Sequence, residues 1–158
     1  MGKSFTLGSL AGIRIKVHWT FSLIIAGVLF TSLIAGNNVL NAMATVGFVV
    51  VLFGCVVLHE LGHALAARYF GIPTRDITLL PIGGVARLER IPRQPIQELV
   101  VALAGPAVNI LIAGLLLAFL IPIWGISNLV AAPFSGGGFL QQLLFVNIAL
   151  VVFNMLPV

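Results

Sequence analysis

Four long apolar runs, almost free of charge, constrain this chain more than anything else in it. They cover about Trp19 to Ala35, Ala42 through Val57 and on past a polar interruption to about Ala67, Leu99 to Trp124, and Phe139 to the end. A helix crossing a bilayer core of about 30 Å needs roughly 20 residues, and each run is long enough. Of the 158 residues, 60% are hydrophobic and 8% charged, against about a quarter charged in soluble domains. A water-soluble fold of this size could not hide so much apolar surface. The expected fold class is an all-α membrane protein of about four transmembrane helices, forming one domain over 1–158, with the lipid bilayer as a partner. The net charge of +4 gives no reason to expect nucleic acid, because so few charges are present. The single cysteine, Cys55, excludes an intrachain disulfide. The first run follows a basic stretch and has no small-residue cleavage site after it, so no signal peptide is expected.

The positions of the charges set the expected orientation. Lys3, Arg14 and Lys16 precede the first run, and Arg68, Arg75, Arg87, Arg90 and Arg93 lie between the second and third. The connections 36–41 and 125–138 carry no basic residue. This bias puts both termini and the middle loop in the cytoplasm of a multi-pass cell-membrane protein. Asp76, Glu89 and Glu98 fall on the same side and are expected as surface or interfacial partners of the basic residues. Two segments outside the spans look β-like. Ile13, Ile15 and Val17 alternate with Arg14, Lys16 and His18, and short alternating runs from Thr74 to Pro92 flank the turn signal Pro81-Ile82-Gly83-Gly84. A small cytoplasmic-side hairpin or sheet, packed on the helices, is expected.

One acidic residue, Glu60, remains inside a span. A charge at mid-span costs roughly 2.5–3.5 kcal/mol even on mild scales, so it reads as functional by default. It belongs to His59-Glu60-Leu61-Gly62-His63. Two histidines four apart share one helix face and can bind one Zn²⁺, with Glu60 beside them as general base or acid for attack of water on a peptide carbonyl. Counting at about 1.5 Å per residue from Arg68, His63 and His59 lie roughly 7 and 13 Å below the cytoplasmic surface. The plain alternatives are a His–Glu pair bracing two helices, and a proton or ion relay, which uses the same residue types. Cys55 lies about 12 Å along the axis from His63, too far to share the metal, and reads as packing. His18 reads as interfacial. These residues offer no good third ligand.

Beyond the zinc motif, the chain carries Gly12-Ile13-Arg14-Ile15-Lys16-Val17-His18-Trp19, Arg68-Tyr69-Phe70-Gly71, Leu80-Pro81-Ile82-Gly83-Gly84-Val85-Ala86, Ala104-Gly105-Pro106-Ala107-Val108-Asn109 and Phe153-Asn154-Met155-Leu156-Pro157. With these it resembles, nearly end to end, the site-2 protease family of intramembrane zinc metalloproteases. The resemblance implies His59 and His63 as zinc ligands, Glu60 as catalytic base or acid, and Zn²⁺ as cofactor. It also implies a substrate contact at Asn154, for which a helix–helix hydrogen bond is an equal alternative. The strands around Gly83 and Gly84 would hold an unwound substrate by edge pairing, a plain structural hairpin being the alternative. Gly105-Pro106 would kink the third span and allow close packing. The substrate implied is a single-pass membrane protein, cleaved within or near its transmembrane helix. In the family an Asp-Gly pair follows the last motif, and its Asp is the third ligand. This sequence stops at Val158, before that pair, so a C-terminally incomplete domain is expected. The competing reading is a catalytically inactive zinc-binding membrane scaffold or fragment.

Overall fold

The computed structural model of the chain describes residues 4–90, 94–135 and 138–156, with 130–135 described as backbone. Lys3, Arg93 and Pro157, each part of an expectation above, lie outside the described residues. The element order is β1 (Ser4–Leu10), β2 (Ile13–His18), α1 (Phe21–Ile34), α2 (Val39–Tyr69), β3 (Thr74–Leu80), β4 (Gly83–Leu88), α3 (Pro95–Ser135) and α4 (Phe139–Met155). The protein is thus mostly helical, with four helices and one small sheet.

Two helices, α2 and the Pro95–Leu129 part of α3, are long and apolar enough to cross a bilayer. At 31 residues α2 is about 46 Å long, more than the roughly 30 Å of a bilayer core. Only 33% of the apolar window of α2 and 11% of that of α3 is buried inside the structure. Core helices of a water-soluble protein would be covered on most sides, so these helices need an apolar solvent. The other two apolar helices are shorter than expected: α1 has 14 residues and α4 has 17. The reason for α1 is local. Strand β2 takes the chain up to His18, and the turn at Gly36, with φ +79°, is followed at once by Asn38, whose side chain accepts the Asn41 N–H and caps α2. The third apolar run does not end in a loop. Its backbone breaks at Gly125 (φ 72°, ψ 159°) and then resumes as helix to Ser135. The helix runs through Pro106, and its one non-helical residue is Gly125.

The sheet is larger than two strands. Its order is β1-β2-β3-β4, with β1–β2 and β3–β4 antiparallel and β2–β3 parallel. The parallel pairing joins the segment before α1 to the segment after α2, so the sheet is closed only by tertiary structure. Ile15 and Leu79 pack with Phe53, Val56 and Val57 of α2. Ile13 and Ile77 pack with Ala64, Leu61 and Ala86. The β1–β2 turn is pinned to the end of α2 where Arg68 Nη1 donates to the Ala11 carbonyl at 2.7 Å. Strand β1, which the apolar alternation did not predict, lies at one edge of the sheet; β4 lies at the other.

Asp76 departs from its expected surface position. It is buried, and Lys16 Nζ donates to its Oδ2 at 2.6 Å, with Arg87 Nε at 3.8 Å from Oδ1. The parallel pairing of Arg14 with Asp76 and Lys16 with Thr78 brings the Lys16 ammonium over the carboxylate. Burial by itself would raise this carboxyl. The hydrogen bond and charge of Lys16, the charge of Arg87 and the Thr78 hydroxyl outweigh it and hold Asp76 below the usual carboxylate value. The stabilisation this gives is therefore fully present above the ordinary value of about 3.9. It is lost as the pH falls through the lower, folded value. Asp76→Asn is expected to cost about 1–3 kcal/mol near neutral pH and to flatten the acid side of the stability profile; melting in detergent from pH 7 down to pH 2 checks this, and an unchanged acid limb would contradict it.

Candidate metal centre

His59, Glu60 and His63 all stand on α2, but the helix points them at two different neighbours. The two histidines, one turn apart, face α3. Their Nε2 atoms approach each other to 3.0 Å, with ring centroids 4.7 Å apart and planes at 78°. Glu60, about 100° further round the helix, faces the sheet. Its Oε2 accepts the backbone N–H of Ala86 at 3.1 Å. His59 is buried, and Glu60 and His63 are half-buried.

Glycines make this convergence possible. A Cβ on Gly105 would clash with His63 Nε2 and lie 2.7 Å from His59 Nε2. The backbone of α3 therefore sits directly against the imidazole pair. A Cβ on Gly62 would lie 2.6 Å from the Ala104 carbonyl oxygen and 2.8 Å from Val108 Cγ2, so α2 and α3 touch nearly backbone to backbone. That closeness lets His63 Nδ1 donate to the Val101 carbonyl at 2.7 Å. A carbonyl can only accept, so the proton is on Nδ1 and the Nε2 lone pair faces His59. On the other side of α2, a Cβ on Gly84 would lie 2.5 Å from Glu60 Cγ. Edge strand β4 therefore lies directly on the Glu60 side chain.

Two inward-facing imidazole nitrogens this close, one of them tautomerically fixed by a carbonyl, form a donor set that suits zinc. His59 and His63 could hold the metal. Among the described residues no group of three His, Cys, Asp or Glu completes the set. Cys55 does not join it. It is buried on α2, where Asn147 Nδ2 of α4 stands 3.6 Å from its sulfur. Asp76 is occupied by Lys16. His18, on β2, bonds Thr20 through Nδ1.

The other sequence-predicted residues are placed as follows. Gly83 and Gly84 open β4 beside Glu60, Gly83 with φ +139°. Asn154 is exposed near the end of α4, and its amide donates to the Leu150 carbonyl of its own helix at 2.7 Å. Sequence reasoning missed Val101 as a histidine partner and the Ala86 N–H as a partner of Glu60. It treated Gly105 only as a packing or kink residue. A usable signal was present: Val101, Gly105 and Asn109 are spaced by four and so share one helix face.

Peptidase family M50 matches residues 47–135. A zinc metalloprotease of Methanocaldococcus jannaschii is 35% identical over 158 residues, which cover 99% of this chain and 42% of that protein. A relative from Synechocystis sp. is 34% identical over 167 residues, covering 99% of this chain and 41% of that protein. The solved structure of a site-2 protease from Methanocaldococcus jannaschii matches with a TM-score of 0.70 at 33% identity, over 98% of this chain and 65% of that one. The chain thus spans about two fifths of the length of the curated relatives it matches. The family match takes in more than half of the chain, including the histidine pair, Glu60, β4 and the Val101–Gly105–Asn109 face of α3. This chain belongs to peptidase family M50, the site-2 protease family of metalloproteases.

Proposed function

We propose that this chain carries the catalytic centre of an intramembrane zinc metalloprotease that hydrolyses a peptide bond within or near the transmembrane helix of a single-pass membrane protein. The observation that carries this reading is the convergence of His59 and His63 through their Nε2 atoms, with Glu60 on the same apolar helix held at a strand edge. The relatives' names favour a protease over an inactive scaffold. When bound, zinc would supply Lewis acidity toward a peptide carbonyl. His59 and His63 would hold it, and the Val101 carbonyl orients His63.

Glu60 takes and returns the proton of the attacking water. Its carboxylate is anchored by Ala86 N–H, which fixes the side chain at the place where a substrate would lie. That N–H belongs to an edge strand and points at Glu60, so the outer edge of β4 faces the carboxylate. A helical peptide shields its carbonyls with its own hydrogen bonds. An unwound peptide added to the open edge of β4 presents them to the carboxylate, with Gly83 and Gly84 giving its backbone room. Asn154 at the end of α4 would contact that backbone after giving up its bond to Leu150. The whole of 1–158 acts as one unit here, because both the sheet and α3 are built on α2.

Orientation follows from charge. Arg14, Lys16, Arg75 and Arg87 lie in the strands of the sheet, with Arg68 and Arg90 just outside them. With four apolar helices crossing the cell membrane, this bias sets the sheet and both termini in the cytoplasm and the histidines below that surface.

Three outcomes are expected. Zinc bound by detergent-purified protein should fall by at least about tenfold in His63→Ala, and equal zinc in both proteins would remove the histidines from the metal site. In a chain extended to supply a carboxylate as third ligand, cleavage of a single-span substrate in liposomes should drop by about 10²-fold or more in Glu60→Gln while zinc stays bound; cleavage at the wild-type rate would rule Glu60 out as the proton carrier. In a Cys55→Ala background, an impermeant thiol reagent on intact cells should label Leu40→Cys and spare Arg90→Cys. The reverse pattern would invert the orientation.

A further inference from the structure

The two histidines are not supported alike. His63 has its Nδ1 proton fixed by the Val101 carbonyl at 2.7 Å. His59 has no backbone partner: its Nδ1 is buried and makes no hydrogen bond. The polar side chain that α3 carries one turn beyond Gly105, on the face that meets the imidazole pair, is the amide of Asn109. Asn109 is 0% exposed, and neither its Oδ1 nor its Nδ2 makes a hydrogen bond. A buried polar group left without a partner costs about 1–3 kcal/mol, and an apolar bilayer offers no water to relieve it. Two neighbouring side chains with such atoms between them can relieve each other by a small approach.

The helix geometry shows why Asn109 stands there. On α3, Val101, Gly105 and Asn109 are one turn apart on one face. Val101 meets His63, Gly105 meets both Nε2 atoms, and Asn109 comes one turn further on, at the His59 end of the pair. The two helices run in opposite directions at this contact, so the face of α3 presents one acceptor to each histidine with a glycine between them. For His63 the acceptor is a backbone oxygen, and for His59 only a side chain is at hand.

We propose that Asn109 is the positioning residue for His59: its Oδ1 accepts the Nδ1 proton, keeps that proton off Nε2, and holds the Nε2 lone pair toward the metal position. The assignment rests on the reading that His59 and His63 hold zinc. A neutral imidazole carries one proton on either nitrogen, and the nitrogen that binds metal must be bare. An acceptor at Nδ1 therefore selects the binding form of the ring before any metal arrives. Asn109 touches neither substrate nor metal in this role.

The test reads the tautomer in metal-free protein first. In the 158-residue chain labelled with ¹⁵N-histidine, two-bond ¹H–¹⁵N spectra should show His59 in the Nδ1–H form, with its signal identified by loss in His59→Gln. Asn109→Leu, similar in volume but without an acceptor, should shift His59 toward Nε2–H and weaken zinc by roughly 10–100-fold in chelator competition. Asn109→Asp keeps the oxygen and should return both the tautomer and the affinity to within about threefold of wild type. An Nε2–H imidazole at His59 in the wild type overturns the proposal, as does equal zinc affinity in Asn109→Leu and wild type, or equal loss in the leucine and aspartate variants. Should Asn109→Leu fail to fold, the wild-type tautomer and the aspartate variant still decide. Absence of zinc binding by the wild type would instead count against the metal-site reading, since the tautomer is measured without metal.

Discussion

The contact between α2 and α3 at Gly62 and Gly105 is the interaction on which the rest depends. Helices in an apolar solvent gain nothing from hiding apolar side chains against one another, because lipid is as apolar as leucine. Close packing of small residues and shared hydrogen bonds must hold them together instead. Here Gly62 lies against the Ala104 carbonyl and Gly105 against both imidazoles. Widen that gap by one methyl group and the 2.7 Å hydrogen bond from His63 to the Val101 carbonyl is lost. One of the two imidazoles, His63, meets the α3 backbone at hydrogen-bonding distance, which offsets part of the cost of a polar segment in lipid.

The sheet solves the opposite problem on the other side of α2. Glu60 needs a partner that fixes it without neutralising it, and a backbone N–H from an edge strand does so. That edge is available because β4 is outermost and because Gly84 has no side chain to hold it off Glu60. The sheet is in turn braced at its centre, where Lys16 and Arg87 meet the buried Asp76, and at its rim, where Arg68 holds the first hairpin. Arg68 thus fastens the sheet to the end of the helix that carries the histidine pair.

Membership of the M50 family gives these contacts their meaning, and the structure adds division of labour within α2. One face of the helix, toward α3, carries the paired imidazole nitrogens. The adjacent face, toward β4, carries the carboxylate. Among the described residues no third His, Cys, Asp or Glu joins the two histidines.

By itself the sequence determined the apolar helices, the histidine pair with Glu60, the alternating segment Ile13–His18, the turn at Pro81-Ile82 and the family. The first four are each a property of one short segment: an apolar run, a spacing of four, an alternation of two, a turn signal. Local spacing could not say that the hairpin at 74–88 would join β1 and β2 in one sheet, since the parallel β2–β3 pairing sets Arg14 opposite Asp76 and Lys16 opposite Thr78, residues far apart in the chain. Nor could it say that Asp76 would be buried. The partners of His63, Glu60 and His59 come from Val101, Ala86 and Asn109, segments 38, 26 and 50 residues away. Tertiary structure alone decided them, because a hydrogen bond depends on distances of a few tenths of an ångström between segments, and only the packing of one helix against another sets those.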